Sequence, residues 1–379
     1  MPLLLDSLYL RLLVLLLALA PLFSNYVFEG MISVGDVFCI VAFFGCLLYL
    51  RLSYFFLGVI FSCFVVVFVS LAFLLMKSEV SASFFRAAFF LALPCFLLSM
   101  REELYAFFLR SYLSLSLIFS VFLVVQVMVY YIFNQGFTLM LPWPTYEGDT
   151  VEVLDHAIQG FRTGGVFREP SYFSIYVIPA LFFFALRRNY VKQLLLVGAL
   201  VLSTSSMGLA ASIFSFAFYL NASGRLRENF KRVLFAVSAV VVAVLLLLFF
   251  RDVSWVERFL DAFGEDGPLR VRLEPMLLAA NNAGLWGGEF GSSDTMVNSF
   301  FDGGEWHNSV SYLLMRLGWL FLLPFMMLLI RLGTLGALAC TGLIFFTNAF
   351  SNAFSTVFLL AFYSINLLCS EQKLKYSVS

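Results

Sequence analysis

Charge is what this sequence has least of. Asp, Glu, Lys and Arg make up 12% of its 379 positions, about half the share of an ordinary soluble domain. With 62% of its residues hydrophobic and a mean hydropathy of +0.97, the chain is expected to be an integral membrane protein. Histidine is nearly missing, with His156 and His307 the two present. The six cysteines, Cys39, Cys46, Cys63, Cys95, Cys340 and Cys369, all fall in or beside apolar runs, so neither a disulfide framework nor a metal-ligand spacing exists. There is no repeat, no low-complexity tract and no stretch long and polar enough to be a soluble domain. The glycine run at 284–291 follows no strand and matches no nucleotide-binding fingerprint. It reads as a shaped loop.

What is present is hydrocarbon-length helix. A helix crosses the apolar layer in about 20 residues, and on that measure twelve spans are expected. They fall near 8–24, 34–50, 54–76, 84–100, 107–133, 171–186, 191–205, 207–221, 233–250, 309–330, 332–348 and 351–369. Leu8–Phe23 is read as the first of these rather than as a cleaved leader, because it leads straight into further spans. Basic residues mark the cytoplasmic side. Placing both termini there puts Arg187, Arg188, Lys192, the Arg225–Arg232 cluster, Arg331, Lys373 and Lys375 inside, and leaves most carboxylates outside. The two long polar loops, 134–170 and 251–308, then face outward.

The first loop closes on Arg162-Thr-Gly-Gly-Val-Phe-Arg-Glu-Pro-Ser171. Proline favours the first helical position, so Glu169 is expected at the cap of the sixth span. A helix start offers free N–H groups to an anion, and the arginine fork matches phosphate oxygens. Arg162 and Arg168 bracket that start, and Gly164-Gly165 let a ligand approach the backbone. The stretch therefore reads as a diphosphate cradle with a carboxylate at hand; the plainer reading is an Arg–Glu pair that fixes a loop.

The second loop ends at His307-Asn308, an imidazole suited to accept a proton near neutral pH beside a good helix cap. Ser309, Tyr312 and Arg316 then share one helix face. Arg316 lies inside a span, where a charge costs about 2.5–3.5 kcal/mol. It either faces a cavity or snorkels to the outer surface, and the cavity is favoured. Arg270 and Arg272 stand two apart, so one of them points to a site. Arg251 and Arg258 read as surface partners of nearby acids, and His156 as a solvated loop residue. Asn348, Asn352 and Ser355 fall on one face and, like Ser203-Thr-Ser-Ser206, read as packing between helices.

In this order, Arg-x-x-Gly-x-Phe-x-Glu-Pro-Ser (Arg162 to Ser171) resembles the loop of bacterial O-antigen polymerases of the Wzy type. Arg270 and Arg272, the turn from Asn281 to Gly291, and His307-Asn308 with a helix ending at Gly318 are similar to the wider O-antigen polymerase/ligase superfamily. The run from Thr204 to Gly208 is similar to it as well. The resemblance covers roughly 160–320. It implies an all-α polytopic fold of the membrane glycosyltransferase C type in the bacterial inner membrane. It also implies polymerisation of oligosaccharide repeat units carried on undecaprenyl diphosphate. Arg162, Arg168 and Arg270 or Arg272 would hold the diphosphate, with Asn308 and Arg316 beside the substrate, and Glu169 or His307 would activate the acceptor hydroxyl. No cofactor, metal or nucleic acid is expected; the partners implied are the lipid-linked oligosaccharide, membrane lipids and a chain-length regulator protein. The chain departs from related ligases in carrying Arg316 where they often have an acidic residue. An O-antigen ligase or a lipid-linked oligosaccharide flippase are the competing expectations. The Phe167-x-Glu-Pro170 element favours the polymerase, and the long outer loops disfavour a flippase.

Overall fold

The computed structural model describes residues 2–29, 32–46, 54–76, 82–98, 102–133, 163–167, 169–205, 309–347 and 352–377, with short pieces at 207–215 and 276–285. Among them, helices dominate: α1 Pro2–Leu19, α2 Val34–Cys46, α3 Tyr54–Met76, α4 Ala82–Leu97, α5 Glu102–Phe133, α6 Pro170–Leu186, α7 Tyr190–Leu202, α8 Ser309–Leu317, α9 Leu322–Phe346 and α10 Ala353–Ser377. A two-stranded hairpin, β1 Val27–Glu29 and β2 Ile32–Ser33, leads into α2. The expected span 233–250, most of 207–221, and nearly all of the loops 134–170 and 251–308 lie outside the described residues.

Leu104–Phe133 is long and apolar enough to cross a membrane. The pair Ser309–Leu317 and Trp319–Ile330, bent by 115°, passes the same test if taken as one span, and several shorter apolar helices accompany them. Phe44, Phe61, Phe64, Ile132, Phe133 and Val191 are each at least 61% exposed. Soluble monomers seldom expose so much large apolar surface, and the pattern is consistent with an all-α membrane protein. Serine is tolerated in these helices because its hydroxyl returns to the carbonyl one turn back, as Ser62 does to Gly58, Ser120 to Ser116 and Ser364 to Leu360.

The chain forms two compact units, 1–112 with 143–146 and 270–379, and 113–142 with 147–269. In the first, α10 is the central helix. Its stretch from Ala353 to Ile365 is buried throughout, Ser355, Thr356 and Ser364 included. It packs on α9 and α4 and also touches α1 and α2. In the second unit, α6 packs against α7.

Three expectations about helix limits are corrected. The tenth span does not run unbroken over 309–330: α8 stops at Leu317, and Gly318 adopts φ 63°, ψ −169°, a region open essentially to glycine alone. Arg331 does not mark a connection, because α9 continues from Leu322 to Phe346 across it. Asn352 is not on a helix face with Ser355 but caps α10, its side chain accepting from the Phe354 N–H at 3.0 Å.

Candidate functional site

In the second unit the Thr163–Ser171 stretch is built on one face of α5. Phe119, Leu123 and Gln126 recur at helical spacing, and each receives part of the loop. Thr163 Oγ1 donates to Gln126 Oε1 at 2.6 Å and accepts from the Gly165 N–H at 3.0 Å. Gly165 turns at φ +70° with its Cα facing Leu123, so close that an added Cβ would meet the Leu123 Cβ at 3.2 Å. Phe167, fully buried, sets its ring against Phe119, Tyr176 and Phe173 at centroid distances of 5.5, 5.2 and 6.3 Å. The Phe167 N–H closes the turn on the Gly164 carbonyl at 3.2 Å.

That turn delivers Glu169 to the start of α6. Glu169 has extended backbone (φ −124°, ψ 148°), Pro170 follows at the first helical position, and the Phe173 N–H bonds the Glu169 carbonyl at 3.2 Å. The cap position read from Pro170 is therefore what the structure has. The carboxylate makes no bond to the helix N–H groups; its Oε2 accepts from the Ser171 hydroxyl at 2.9 Å. Glu169 is half-buried, oriented by a serine and open on one side. Arg168, its covalent neighbour, and Arg162 lie outside the described residues, as do Arg270, Arg272, His307, Asn308 and His156.

α8 begins in the first unit at Ser309, the residue after His307-Asn308. The Ser309 N–H and hydroxyl both donate to the Thr347 carbonyl, at 2.8 and 2.6 Å. An orphan donor at one helix start thus satisfies an orphan carbonyl past the end of α9. Arg316 is 4% exposed, and its guanidinium lies over the Tyr312 ring at 5.7 Å. It does not snorkel to the surface; it is buried, stacked on the face that the i, i+4 spacing from Tyr312 dictates. Beyond the Gly318 break, the Trp319 and Leu320 N–H groups donate to the Gly284 and Leu285 carbonyls, each at 3.2 Å. Of the run at 284–291, Gly284 and Leu285 are the described residues.

No protein-family model, curated protein or solved structure matches this chain. The site therefore stands on its own residues.

Sequence reasoning missed two charged residues. Asp36 is buried and accepts from the Ser33 N–H at 3.0 Å, while the Ser33 hydroxyl accepts from the Asp36 N–H at 3.0 Å. This reciprocal box at the start of α2 was readable as Ser-x-x-Asp ahead of an apolar run. Arg86 of α4, 31% exposed, pairs with Asp36 at 3.1 Å and ties the two helix starts together. The backbone of Thr204, a residue read above as part of a packing run, was not foreseen. It holds φ +57°, unusual for a β-branched residue, at the reversal after α7. Ser205 then caps the next helical turn, and Gly208 lies so close to Ser174 of α6 that a Cβ there would meet the Ser174 hydroxyl at 2.7 Å. Among the described residues no group of three or more His, Cys, Asp or Glu is placed to hold a metal ion.

Proposed function

We propose that this chain is a multi-pass enzyme of the bacterial inner membrane that polymerises oligosaccharide repeat units carried on undecaprenyl diphosphate. In this reading twelve helices of a glycosyltransferase C-like fold span the bilayer, with both termini cytoplasmic and the reaction at the outer face. The growing chain leaves its carrier as the anomeric carbon–diphosphate oxygen bond breaks. The same carbon bonds an acceptor hydroxyl on the next lipid-linked unit, whose proton passes to a protein base. Glu169 or His307 takes that proton. Arg162, Arg168 and Arg270 or Arg272 hold the leaving diphosphate and stabilise its developing charge, with Asn308 and Arg316 lining the site.

The observation that carries the reading is the presentation of Glu169. A turn anchored on α5 by Thr163, Gly165 and Phe167 holds one carboxylate at a helix start, directly after Arg168 and seven residues after Arg162 in sequence, with Ser171 as its partner. A fixed, half-open carboxylate beside an anion-favouring helix end suits a base that works next to a diphosphate.

The test is complementation of a host lacking the gene, with polysaccharide length read on a gel. Glu169→Ala and Arg168→Ala are expected at normal abundance in the membrane with product stopped at single repeats. A full-length ladder from Glu169→Ala would remove the carboxylate from the reaction. Complete chains stranded on the carrier would point to a ligase, and inward-facing intermediates to a flippase.

A further inference from the structure

The corner between α6 and α7 carries donors that nothing in the reaction uses. Its sequence is Arg187-Arg-Asn-Tyr-Val-Lys-Gln193. α6 ends in a Schellman arrangement: the Arg188 N–H bonds the Ala185 carbonyl at 3.2 Å and the Asn189 N–H the Phe184 carbonyl at 3.0 Å. The left-handed position of that motif ordinarily takes glycine. Here Arg188 occupies it at φ +54°, a conformation that costs an L-residue about 1–2 kcal/mol. Asn189 caps α7 at once, its Oδ1 accepting from the Lys192 N–H at 3.3 Å, so the corner has no slack.

Two cations rest on aromatic faces there, Arg187 over Phe183 at 5.5 Å and Lys192 over Phe184 at 5.2 Å. Arg187, Arg188 and Lys192 are all exposed. Inside the corner lies Gln193, 2% exposed, with its Nε2 bonded to nothing. It is the fourth residue of a thirteen-residue helix. Cα–Cβ bonds tilt toward a helix N-terminus, so its amide leans to the corner. An unmatched buried donor costs about 1–3 kcal/mol. A strained arginine, two further cations and an unmatched amide all favour the same guest, a phosphate anion. The neighbouring surface specifies what the phosphate is attached to: Tyr190, Val191 and Leu194 are 51%, 80% and 60% exposed, an apolar flank for acyl chains.

We propose that the α6–α7 corner binds the headgroup of an anionic phospholipid. The guanidiniums of Arg187 and Arg188 and the Lys192 ammonium hold the phosphate, Gln193 Nε2 turns outward to donate to it, and the acyl chains run along Val191 and Leu194. The site rests on the membrane embedding proposed above but on no part of the reaction.

The experiment uses full-length protein, purified in uncharged detergent and stripped of lipid. Native mass spectrometry and thermal melting are followed with phosphatidylglycerol, phosphatidylcholine or inorganic phosphate added. Phosphatidylglycerol is expected to be retained about tenfold over phosphatidylcholine and to raise the melting midpoint, with inorganic phosphate leaving it unchanged. Arg188→Gly removes strain together with charge, and Gln193→Leu removes an unmatched donor. Both variants should therefore melt no lower than wild type without lipid, yet lose most of the preference for phosphatidylglycerol. Equal retention of the two lipids, equal protection by inorganic phosphate, an undiminished preference in Arg188→Gly, or a lipid-free Arg188→Gly that melts lower would each overturn the site. A chain that stays in solution without detergent would instead overturn the membrane reading.

Discussion

Gly164→Ala is the sharpest probe of how Glu169 is held. A Cβ at position 164 would stand 2.5 Å from the Glu169 carbonyl oxygen, 2.6 Å from its carbonyl carbon and 2.6 Å from the Phe167 carbonyl oxygen. All three are backbone atoms, so no side-chain rotation relieves the contact. Opening 2.5 Å to the 3.4 Å of ordinary contact needs a movement of about 0.9 Å. Phe167 is wedged among Phe119, Tyr176 and Phe173 and resists, so the displacement falls on Glu169 and the start of α6. Overpacking of this kind costs about 1–3 kcal/mol, and a reacting group misplaced by about 1 Å loses on the order of a hundredfold in rate. The assay is polysaccharide length in the complemented host, normalised to membrane abundance. Gly198→Ala serves as the control, because nothing lies within 4 Å of a Cβ there and the change favours the helix by about 0.5–1 kcal/mol. The expected result is short chains from Gly164→Ala and a normal ladder from Gly198→Ala. Equal ladders at equal abundance would refute the argument that backbone placement of Glu169 governs the reaction.

Three further outcomes follow from the same geometry. Asp36→Ala removes both the α2 cap and the partner of Arg86, and with the pair partly screened at the surface should destabilise the detergent-purified protein by about 1–2 kcal/mol, read as a lower melting midpoint. Thr204→Gly relieves a left-handed β-branched residue whose Oγ1 has no partner and should raise stability by about 1 kcal/mol; a fall in melting temperature would mean the threonine side chain supports the turn. Gly318→Ala forces a side chain into φ 63°, ψ −169° and should cost about 1–3 kcal/mol, seen as lower abundance in the membrane and faster proteolysis near the α8–α9 break.

The start of α6 was legible because proline and a preceding acid leave a local signature that tertiary packing has no reason to override. The anchoring of that start on α5 was not, since Phe119, Leu123 and Gln126 look like any other positions of a membrane helix until the loop is seated on them. The break at Gly318, which the resemblance marked as a helix end, escaped the span count for a related reason. Residues on both sides are apolar, a hydropathy window averages across them, and only the sign of φ at one glycine separates a straight span from a bent one. Asn352 was assigned to a helix face because its spacing from Asn348 and Ser355 is helical; the cap bond to Phe354 shows that the helix starts one residue later. Arg188 was read as one of many inward-facing cations. That it holds a conformation normally left to glycine is invisible without backbone angles.

The paired bonds from Ser309 to the Thr347 carbonyl act as a clasp. They fasten the residue that follows His307-Asn308 to the residue just past the end of α9, thirty-eight positions downstream. An insertion between 347 and 352 would therefore be felt at the start of α8 before it disturbed the hydrophobic packing around α10. In the reading proposed above, variation in that short connection becomes a remote handle on His307, to be seen as weakened turnover at unchanged membrane abundance.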